Sequence, residues 1–313
     1  MTSDKDKNRQ GTSSQEDDDA EDDKKEMGPD LSSTQAVRFS ALVHVIALVL
    51  TVFYPVFWPK ALALILINHA VLFGAVLWPK GMLLGPNILR LPKSAILREE
   101  VALTFDDGPD PDVTPRVLDL LDHHGAKASF FCIAEKAVAF PEVVKEIVRR
   151  GHSVENHTYR HSYLFAFYGR SRLTREIEAA QTAIADITGR SPEFLRAPAG
   201  FRGPFLHPVL VKHGLRYITW TRRGLDGVRS QPQKVLQRLT EDLEAGDVLM
   251  LHDRGNGSQA EPVVLTVLPS LLHQLSQRGL KSVSLPEAFA TEADENRRTS
   301  LNEEKRLKYK LIE

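Results

Sequence analysis

Short β-type runs alternate with helical segments through most of the chain, from about residue 99 to residue 290. The β-type runs lie at 101–105, 128–133, 152–156, 193–197, 216–220, 247–251 and 281–284. The segments with helical periodicity lie between them, at 114–124, 134–149, 171–188, 205–213, 232–244 and 261–278. Seven strands that alternate with helices predict a parallel α/β domain. This pattern alone is compatible with a barrel and with an open doubly wound sheet.

The two ends of the chain have a very different composition from this domain. The first 35 residues are mainly Asp, Glu, Lys, Ser and Gln, with almost no large apolar side chains. Because such a segment cannot bury enough apolar surface to offset its ordering entropy, we expect residues 1–35 to be a disordered acidic tail. Residues 291–313 are also highly charged and are predicted to form a second tail.

Two apolar runs, at 41–58 and 61–78, precede the α/β domain. Each run has 18 residues, so as a helix it is about 27 Å long, just below the ~30 Å hydrocarbon core of a bilayer. Trp58 and Trp78 end the runs, where interfacial aromatic residues are expected. Residues 36–78 are therefore predicted to form a two-helix membrane hairpin, with buried helices of a soluble protein as the alternative.

Basic residues flank the two ends of this hairpin, whereas Lys60 alone lies in its connection. The flanking residues are Lys24, Lys25, Arg38, Lys80, Arg90, Lys93 and Arg98. The positive-inside rule then places both ends, and the α/β domain, on the cytoplasmic face of the inner membrane. If only one run spans the bilayer, the domain lies on the opposite face. Residues 79–98 mix basic and apolar residues with Pro and Gly and are expected to be a juxtamembrane linker.

Charge and motif content exclude several classes of function. The formal net charge of −1 argues against nucleic-acid binding, which favours a basic stripe. No glycine-rich phosphate-binding motif follows any predicted strand, which argues against a nucleotide cofactor. The single cysteine, Cys132, rules out an internal disulfide and a cysteine-rich zinc site.

Titratable residues follow five of the predicted strands. They are Asp106 and Asp107 after the first strand, His157 and His161 after the third, Arg196 at the end of the fourth, Asp226 after the fifth and His252 after the sixth. Because the carboxyl ends of parallel strands converge in α/β domains, we expect these side chains to share one site. An ordinary ion pair of Arg196 with Asp226 is the simpler alternative for those two residues.

His157 and His161 are separated by four residues, the spacing at which two imidazoles share one face of a helical turn. With Asp107 they would form a set of two histidines and one carboxylate that leaves positions open for water and substrate. Two surface histidines at this spacing are common, so the motif alone is weak. Such a set also occurs in non-haem iron oxygenases.

Three motifs together resemble those of the polysaccharide deacetylases, the NodB-homology group or carbohydrate esterase family 4. The motifs are Thr104-Phe-Asp-Asp-Gly-Pro109, His157-Thr-Tyr-Arg-His161 and Leu249-Met-Leu-His252. The resemblance covers about residues 99–290 and implies a distorted (β/α) barrel with seven strands. It also implies a hydrolase that removes acetyl groups from aminosugars or glycans with a divalent metal, commonly zinc.

The resemblance further implies a role for each site residue. Asp106 would be the general base that deprotonates the attacking water, and Asp107, His157 and His161 would hold the metal. His252 would be the general acid that protonates the departing amine. Arg196 would keep Asp106 in position and ionised, and Asp226 would hydrogen-bond His252 and raise its pKa.

Two motifs depart from the family pattern. Many members have Tyr where this chain has Ala199, although the backbone N–H of Ala199 is still expected to stabilise an oxyanion. Phe201 or Trp220 is the candidate platform for a sugar ring. Trp220 also precedes Asp226, whereas the family's tryptophan follows its aspartate.

The leading hypothesis is therefore a membrane-anchored, metal-dependent hydrolase that removes an N-acetyl or N-formyl group from an aminosugar. The sugar would belong to a polysaccharide or to a lipid-linked saccharide, which a domain at the cytoplasmic face would favour. A catalytically inactive, membrane-tethered glycan-binding protein is the main alternative, and the iron oxygenase is less favoured.

Overall fold

A computed structural model describes residues 32–290 except 228–230 and 256–260. The two predicted tails therefore lie outside the described residues, apart from the last four positions of 1–35. Seven parallel strands form one curved sheet, an eighth strand pairs with one of them, and helices pack against the sheet, which confirms the distorted (β/α) barrel. The strands are β1 Glu100–Asp106, β2 Ala128–Cys132, β3 Ser153–Asn156, β4 Phe194–Leu195, β5 Arg216–Tyr217, β6 Arg222–Arg223, β7 Val248–His252 and β8 Lys281–Ser282.

The order of the strands places β1 near the middle of the sheet. Along the sheet the order is β5-β4-β3-β2-β1-β7-β6, and β8 pairs with the start of β1 outside this path. β6 was not predicted from the sequence, because two arginines have neither the length nor the apolar character of a typical strand. Asp106 at the end of β1 pairs with His252 at the end of β7. The two central strands therefore end side by side at the same edge.

The helices of the domain cover the sheet and enclose its core. They are α3 Lys93–Leu97, α4 Thr114–His123, α5 Ala134–Ala139, α6 Pro141–Arg149, α7 Arg170–Thr188, α8 Leu206–Lys212, α9 Pro232–Thr240, α10 Val263–Gln277 and α11 Leu285–Ala288. Leu118 and Leu121 of α4 are fully buried and belong to the same core cluster as Phe105 and Phe130, whose rings stack on β1 and β2. Burial of such side chains holds the strand ends in place.

Two long apolar helices precede the domain and pack against each other. These are α1, Ser32–Phe53, and α2, Trp58–Val76, joined by the short 3₁₀ turn Pro55–Phe57. Both helices are long and apolar enough to cross a membrane, by length and composition alone. Asn68 of α2 donates a hydrogen bond to Ser40 of α1 at 2.8 Å. A polar side chain in the middle of an apolar helix needs a hydrogen-bond partner, and the neighbouring helix supplies one here.

Residues 79–98, described from the sequence as a linker, contribute to the barrel itself. Ile88 forms a parallel bridge with Ile218 next to β5, and Arg90 forms an antiparallel bridge with Asp247 at the start of β7. Leu91 and Ala95 are buried with the domain core. The segment thus lies across the gap between the two ends of the curved sheet and attaches the hairpin rigidly to the domain.

Candidate active site

The turn after β1 directs two neighbouring carboxylates in different directions. Asp106 is the last residue of the strand, whereas Asp107 has a left-handed backbone with φ of 73°. Gly108 follows, and an added Cβ at this position would clash with the carboxylate of Asp253. The turn therefore requires glycine, and it leaves both carboxylates buried beside the carboxyl ends of the strands.

His157 and His161 lie in a loop after β3 and not on a helical turn as their spacing suggested. Thr158 and His161 both have a positive φ, and the N–H of His161 donates to the hydroxyl of Thr158 at 3.0 Å. This compact loop brings the centres of the two imidazole rings to within 4.7 Å of each other. The helical prediction was wrong because a side-chain hydrogen bond and left-handed residues can produce the same proximity.

Asp107, His157 and His161 together form a set of ligand atoms that could hold a metal ion. Oδ1 of Asp107 lies 3.3 Å from Nε2 of His157 and 3.1 Å from Nε2 of His161. Nδ1 of His157 is 2.8 Å from the carbonyl oxygen of Arg196, which orients the ring and leaves Nε2 for a metal. One carboxylate and two imidazoles suit a divalent metal such as zinc. The residues present therefore fit the ion that the sequence predicts.

Burial and mutual charge determine the protonation of this set. Burial would raise the pKa of Asp107, but its hydrogen bond with His157 and the histidine charges outweigh burial and lower that pKa. Burial and the charge of His157 lower the pKa of His161 to about 4. Burial would lower the pKa of His157, but Asp106 and Asp107 outweigh burial and raise it. Because a metal binds the ionised carboxylate and the neutral imidazole, its binding would compete with the proton on His157.

Asp106 is held by a buried arginine. Nη1 of Arg196 lies 2.6 Å from Oδ1 of Asp106, and both side chains are almost completely buried. Arg196 also donates to the hydroxyl of Thr104 at 2.9 Å and to the carbonyl oxygen of Thr219 at 2.7 Å. The alternative pairing of Arg196 with Asp226 is therefore not the one the structure contains.

Asp226 instead binds His252 with both of its oxygens. Oδ1 lies 2.9 Å from Nδ1 of His252, and Oδ2 accepts a hydrogen bond from the backbone N–H of His252 at 2.8 Å. Burial would lower the pKa of His252, but its hydrogen bond and charge interaction with Asp226, together with the charges of Asp106 and Asp107, outweigh burial and raise that pKa. Asp226 thus binds Nδ1 of His252 and leaves the other ring nitrogen, Nε2, for a further contact. His252 lines the same cleft as Asp106.

Comparison with known proteins agrees with this geometry. Residues 95–218 match the family profile described as polysaccharide deacetylase. A peptidoglycan-N-acetylglucosamine deacetylase of Bacillus cereus is 31% identical over 194 residues, which cover 62% of this chain and 70% of that protein. A chitooligosaccharide deacetylase of Sinorhizobium fredii is 30% identical over 205 residues, 63% of this chain and 95% of that one.

This chain belongs to the polysaccharide deacetylase family. It is accordingly a hydrolase that acts on carbon–nitrogen bonds other than peptide bonds. Among solved structures, a peptidoglycan N-acetylglucosamine deacetylase superposes with a TM-score of 0.61 at 29% identity and covers 66% of this chain and 94% of its own. Deacetylases of this family are metal-dependent.

The deacetylase cleft has a volume of about 250 Å³ and contains further residues of interest. Trp220 and Ala199 line it, together with Tyr163, Arg223 and Arg254, which the sequence analysis did not select. Arg254 lies two residues after the motif that ends at His252, and this proximity in the chain was a signal for it. Its Nε lies 3.0 Å from Oδ2 of Asp107. Tyr163 and Arg223 carry no comparable signal, because only the folded loops bring them to the cleft.

The two candidate sugar platforms have different positions. Trp220 lines the cleft, whereas Phe201 packs with Val76 and Leu84 beneath the hairpin. This placement favours Trp220 over Phe201 as a contact for a sugar ring.

Ala199 has a strained backbone for a non-glycine residue, with φ of 55°. Its backbone N–H has no acceptor among the residues that the structure describes. Asp107, His161 and Leu225 also have a positive φ and line the same cleft. Left-handed residues concentrated in one cleft are typical of a functional site.

Proposed function

We propose that this protein is a metal-dependent deacylase that removes an N-acetyl or N-formyl group from an aminosugar. One observation supports the proposal above all others. The potential metal ligands lie in one cleft with Asp106, which Arg196 holds, and with His252, which Asp226 holds. A base and an acid that are each oriented by a buried partner suit hydrolysis of an amide.

Asp107, His157 and His161 would hold the metal, with zinc as the proposed ion. When bound, the ion polarises the acyl carbonyl and makes a water molecule more acidic. Arg254 binds the second carboxylate oxygen of Asp107 and so directs the first oxygen towards the two imidazoles. The donor set thus needs no rearrangement of Asp107.

Asp106 would accept the proton of the attacking water. Arg196 engages Oδ1 of this carboxylate, whereas Oδ2 lies 4.0 Å from Nε2 of His157, on the side of the proposed ligands. Oδ2 is therefore the proposed proton acceptor. The backbone N–H of Ala199 would donate to the oxyanion that develops as water adds to the acyl carbon.

His252 would complete the reaction from Nε2. As the bond between the acyl carbon and nitrogen breaks, this ring nitrogen donates a proton to the leaving amine. Asp226 contributes to raising the pKa of His252, which favours the protonated imidazole that this step needs. The products are a carboxylic acid, acetic or formic, and the free aminosugar, so one water is consumed for each acyl group released.

We also propose that the hairpin α1–α2 anchors the enzyme in the inner membrane with the domain at the cytoplasmic face. The exposed apolar surface of both helices and the basic residues at their shared end support this topology. The substrate would be an aminosugar of a polysaccharide or a lipid-linked saccharide. Because the chain is a hydrolase, a hydrolytic metal site explains the set of two histidines and one carboxylate better than the hypothesis of an iron oxygenase.

The Asp106→Asn variant tests the proposal. We expect it to lower kcat by at least about a hundredfold, because an amide cannot accept the proton, while zinc still binds, because Asp106 is not one of the proposed ligands. The measurements are release of acetate from N-acetylglucosamine oligosaccharides and zinc binding by competition with a chelator.

His161→Ala is the matched comparison, since it should reduce both zinc affinity and turnover. Near-wild-type turnover by Asp106→Asn would overturn the role of Asp106. Equal glycan binding by wild type and variant, with hydrolysis by neither, would favour the inactive glycan-binding alternative.

A further inference from the structure

An exposed apolar loop lies beside the hairpin and beside the cleft. We call residues 162–168 the aromatic loop. Tyr163, Leu164 and Phe167 leave 78%, 64% and 58% of their surfaces exposed, respectively. Three large apolar side chains exposed within five residues are unusual on a surface that faces only water.

The aromatic loop packs directly against the predicted membrane helices. The ring of Phe167 stacks on that of Phe73 of α2, with centroids 6.4 Å apart. Ala166 is buried in a cluster with Leu72 and Val76 of the same helix. Phe73 lies three residues before Val76, the last residue of α2, and is therefore about 4.5 Å along the helix axis from that end. Trp78 follows just after the helix. If Trp78 marks the interface, Phe167 lies at the depth of Phe73, within the boundary between headgroups and acyl chains.

The same loop reaches the catalytic cleft. Tyr163 lines the cleft, and its ring lies 5.7 Å from that of His161, a proposed metal ligand. The segment that follows α2 also borders the cleft. Lys80 donates a hydrogen bond to the carbonyl oxygen of Thr221 at 2.8 Å, next to Trp220. Gly200 in the cleft packs so closely on Pro79 that an added Cβ would lie 2.8 Å from its side chain. The aromatic loop and the residues just after α2 thus both lie beside the cleft.

Cationic groups lie on the rim next to the hairpin. Arg223 lines the cleft above the ring of Trp220, 4.9 Å from its centroid. Its Nε is buried and has no hydrogen-bond partner among the described parts of the chain. The exposed ammonium of Lys80 lies beside Thr221, two residues before Arg223. A guanidinium with a free donor and a nearby ammonium suit a phosphate group at the level of the lipid headgroups.

We infer that the aromatic loop inserts into the bilayer that holds the hairpin, and that the cleft acts on an aminosugar attached through phosphate to a membrane lipid. The second part rests on the proposed deacylase function and names its substrate class. Arg223 and Lys80 bind the phosphate, the lipid stays in the bilayer, and the sugar enters between Tyr163 and Trp220. A soluble glycan gains nothing from a cleft that opens at the membrane, whereas a lipid-linked sugar arrives there by diffusion in two dimensions.

Fluorescence tests the insertion of the loop without any measurement of activity. The full chain, with Leu164→Cys and an environment-sensitive maleimide dye, is reconstituted into phospholipid nanodiscs with nitroxide-labelled acyl chains. Cys132 is fully buried and does not compete for the dye. Leu97→Cys is the matched control, because Leu97 is 84% exposed and lies just before β1, at the opposite end of the barrel. We expect nitroxide quenching at position 164 and none at position 97; equal quenching at the two positions would overturn the insertion.

Kinetics test the substrate class with two defined probes. N-acetylglucosamine joined by phosphate to a polyprenol is presented in nanodiscs, and N-acetylchitotetraose is presented in solution. We expect kcat/KM for the lipid-linked probe to exceed that for the soluble probe by about tenfold or more. Leu164→Ser should remove most of this preference by raising KM for the lipid-linked probe, whereas Leu97→Ser should not alter it.

Arg223→Gln should raise KM for the lipid-linked probe by about tenfold, and Arg223→Lys should restore most of the affinity. A soluble probe that is hydrolysed as well as the lipid-linked one would overturn the substrate class while leaving the deacylase function standing. Hydrolysis of neither probe would overturn the deacylase function and the substrate class together, and the fluorescence would still decide whether the loop lies in the bilayer.

Discussion

At the scale of single residues, each proposed catalytic group is paired with a side chain that orients it. Arg196 holds Asp106, and Asp226 holds His252, in two separate ion pairs that are both largely buried. Because the pairs are separate, the base and the acid experience different environments. General acid–base catalysis near neutral pH requires an ionised carboxylate as the base and an imidazolium as the acid, and separate environments can stabilise each form.

The pair of Asp226 and His252 predicts a specific pH dependence. In the proposed mechanism the activity requires protonated His252, so it should be present below the folded-state pKa of His252 and be lost as the pH rises through it. Asp226 raises that pKa, so Asp226→Asn should move the alkaline limb of the kcat/KM profile to lower pH. The measurement is the pH profile of both proteins on the same acetylated substrate.

His252→Ala provides the comparison for this experiment. It should lower kcat by about a hundredfold and remove the alkaline limb, since no acid remains to titrate. If Asp226→Asn does not move the alkaline limb, a group other than His252 is responsible for that limb.

At the scale of secondary structure, the site depends on the turns and loops at the carboxyl ends of the strands. The turn after β1 and the loop after β3 both use left-handed residues to place Asp107 and His161. Such backbones are costly for residues other than glycine, and the tightly packed strands beneath them make the conformation persist. Asp253 beneath Gly108 is part of that support, because its buried carboxylate accepts a hydrogen bond from the hydroxyl of Thr114 at 2.6 Å.

Substitution of Gly108 tests this support. Gly108→Ala places a methyl group against the carboxylate of Asp253, so it should destabilise the domain by about 1–3 kcal/mol. The turn must also move, so zinc affinity should fall through displacement of Asp107. Thermal unfolding in detergent and zinc titration measure the two effects.

Gly169→Ala is the matched control, because an added Cβ there meets no atom within 4 Å and its φ is negative. Its stability should stay within about 0.5 kcal/mol of wild type. Wild-type stability and zinc affinity for Gly108→Ala would show that the turn can adapt to a side chain.

At the scale of the whole molecule, the hairpin and the barrel form one continuous structure. Residues 79–98 connect α2 to the barrel and also bridge β5 and β7. Leu84 belongs to this connecting segment. It is buried in the cluster that contains Val76 of the hairpin and Ala166 of the aromatic loop. The position of the hairpin relative to the barrel therefore also determines its position relative to the cleft.

Labelling in intact cells tests the proposed orientation. Leu97→Cys should react with a membrane-impermeant maleimide only after lysis, because the domain is proposed to face the cytoplasm. Val56→Cys, in the connection between α1 and α2, should react in intact cells, since the proposed topology places this connection on the opposite face. Reaction of Leu97→Cys in intact cells would place the domain outside and favour a wall polymer or an exported glycan as substrate.

Much of the fold and part of the site could be predicted from the sequence. The alternation of strands and helices is a local pattern, so it identified the α/β class and nearly all strands of the sheet. Asp106 and Asp107 were identifiable because they directly follow an apolar strand and precede Gly-Pro. The motifs around residues 104–109, 157–161 and 249–252 identified the family because each is contiguous in the chain.

Features that depend on contacts between distant segments required the tertiary structure. The pairing of Arg196 with Asp106 instead of Asp226, and the exclusion of Phe201 from the cleft, result from how the loops pack. The strand β6 forms because β7 offers a free edge, although its own two arginines give no strand signal. Residues 79–98 look like a linker because their burial depends on partners more than a hundred residues away. Local periodicity and composition thus determine the elements and the family, whereas packing between segments far apart in sequence determines the geometry of the cleft.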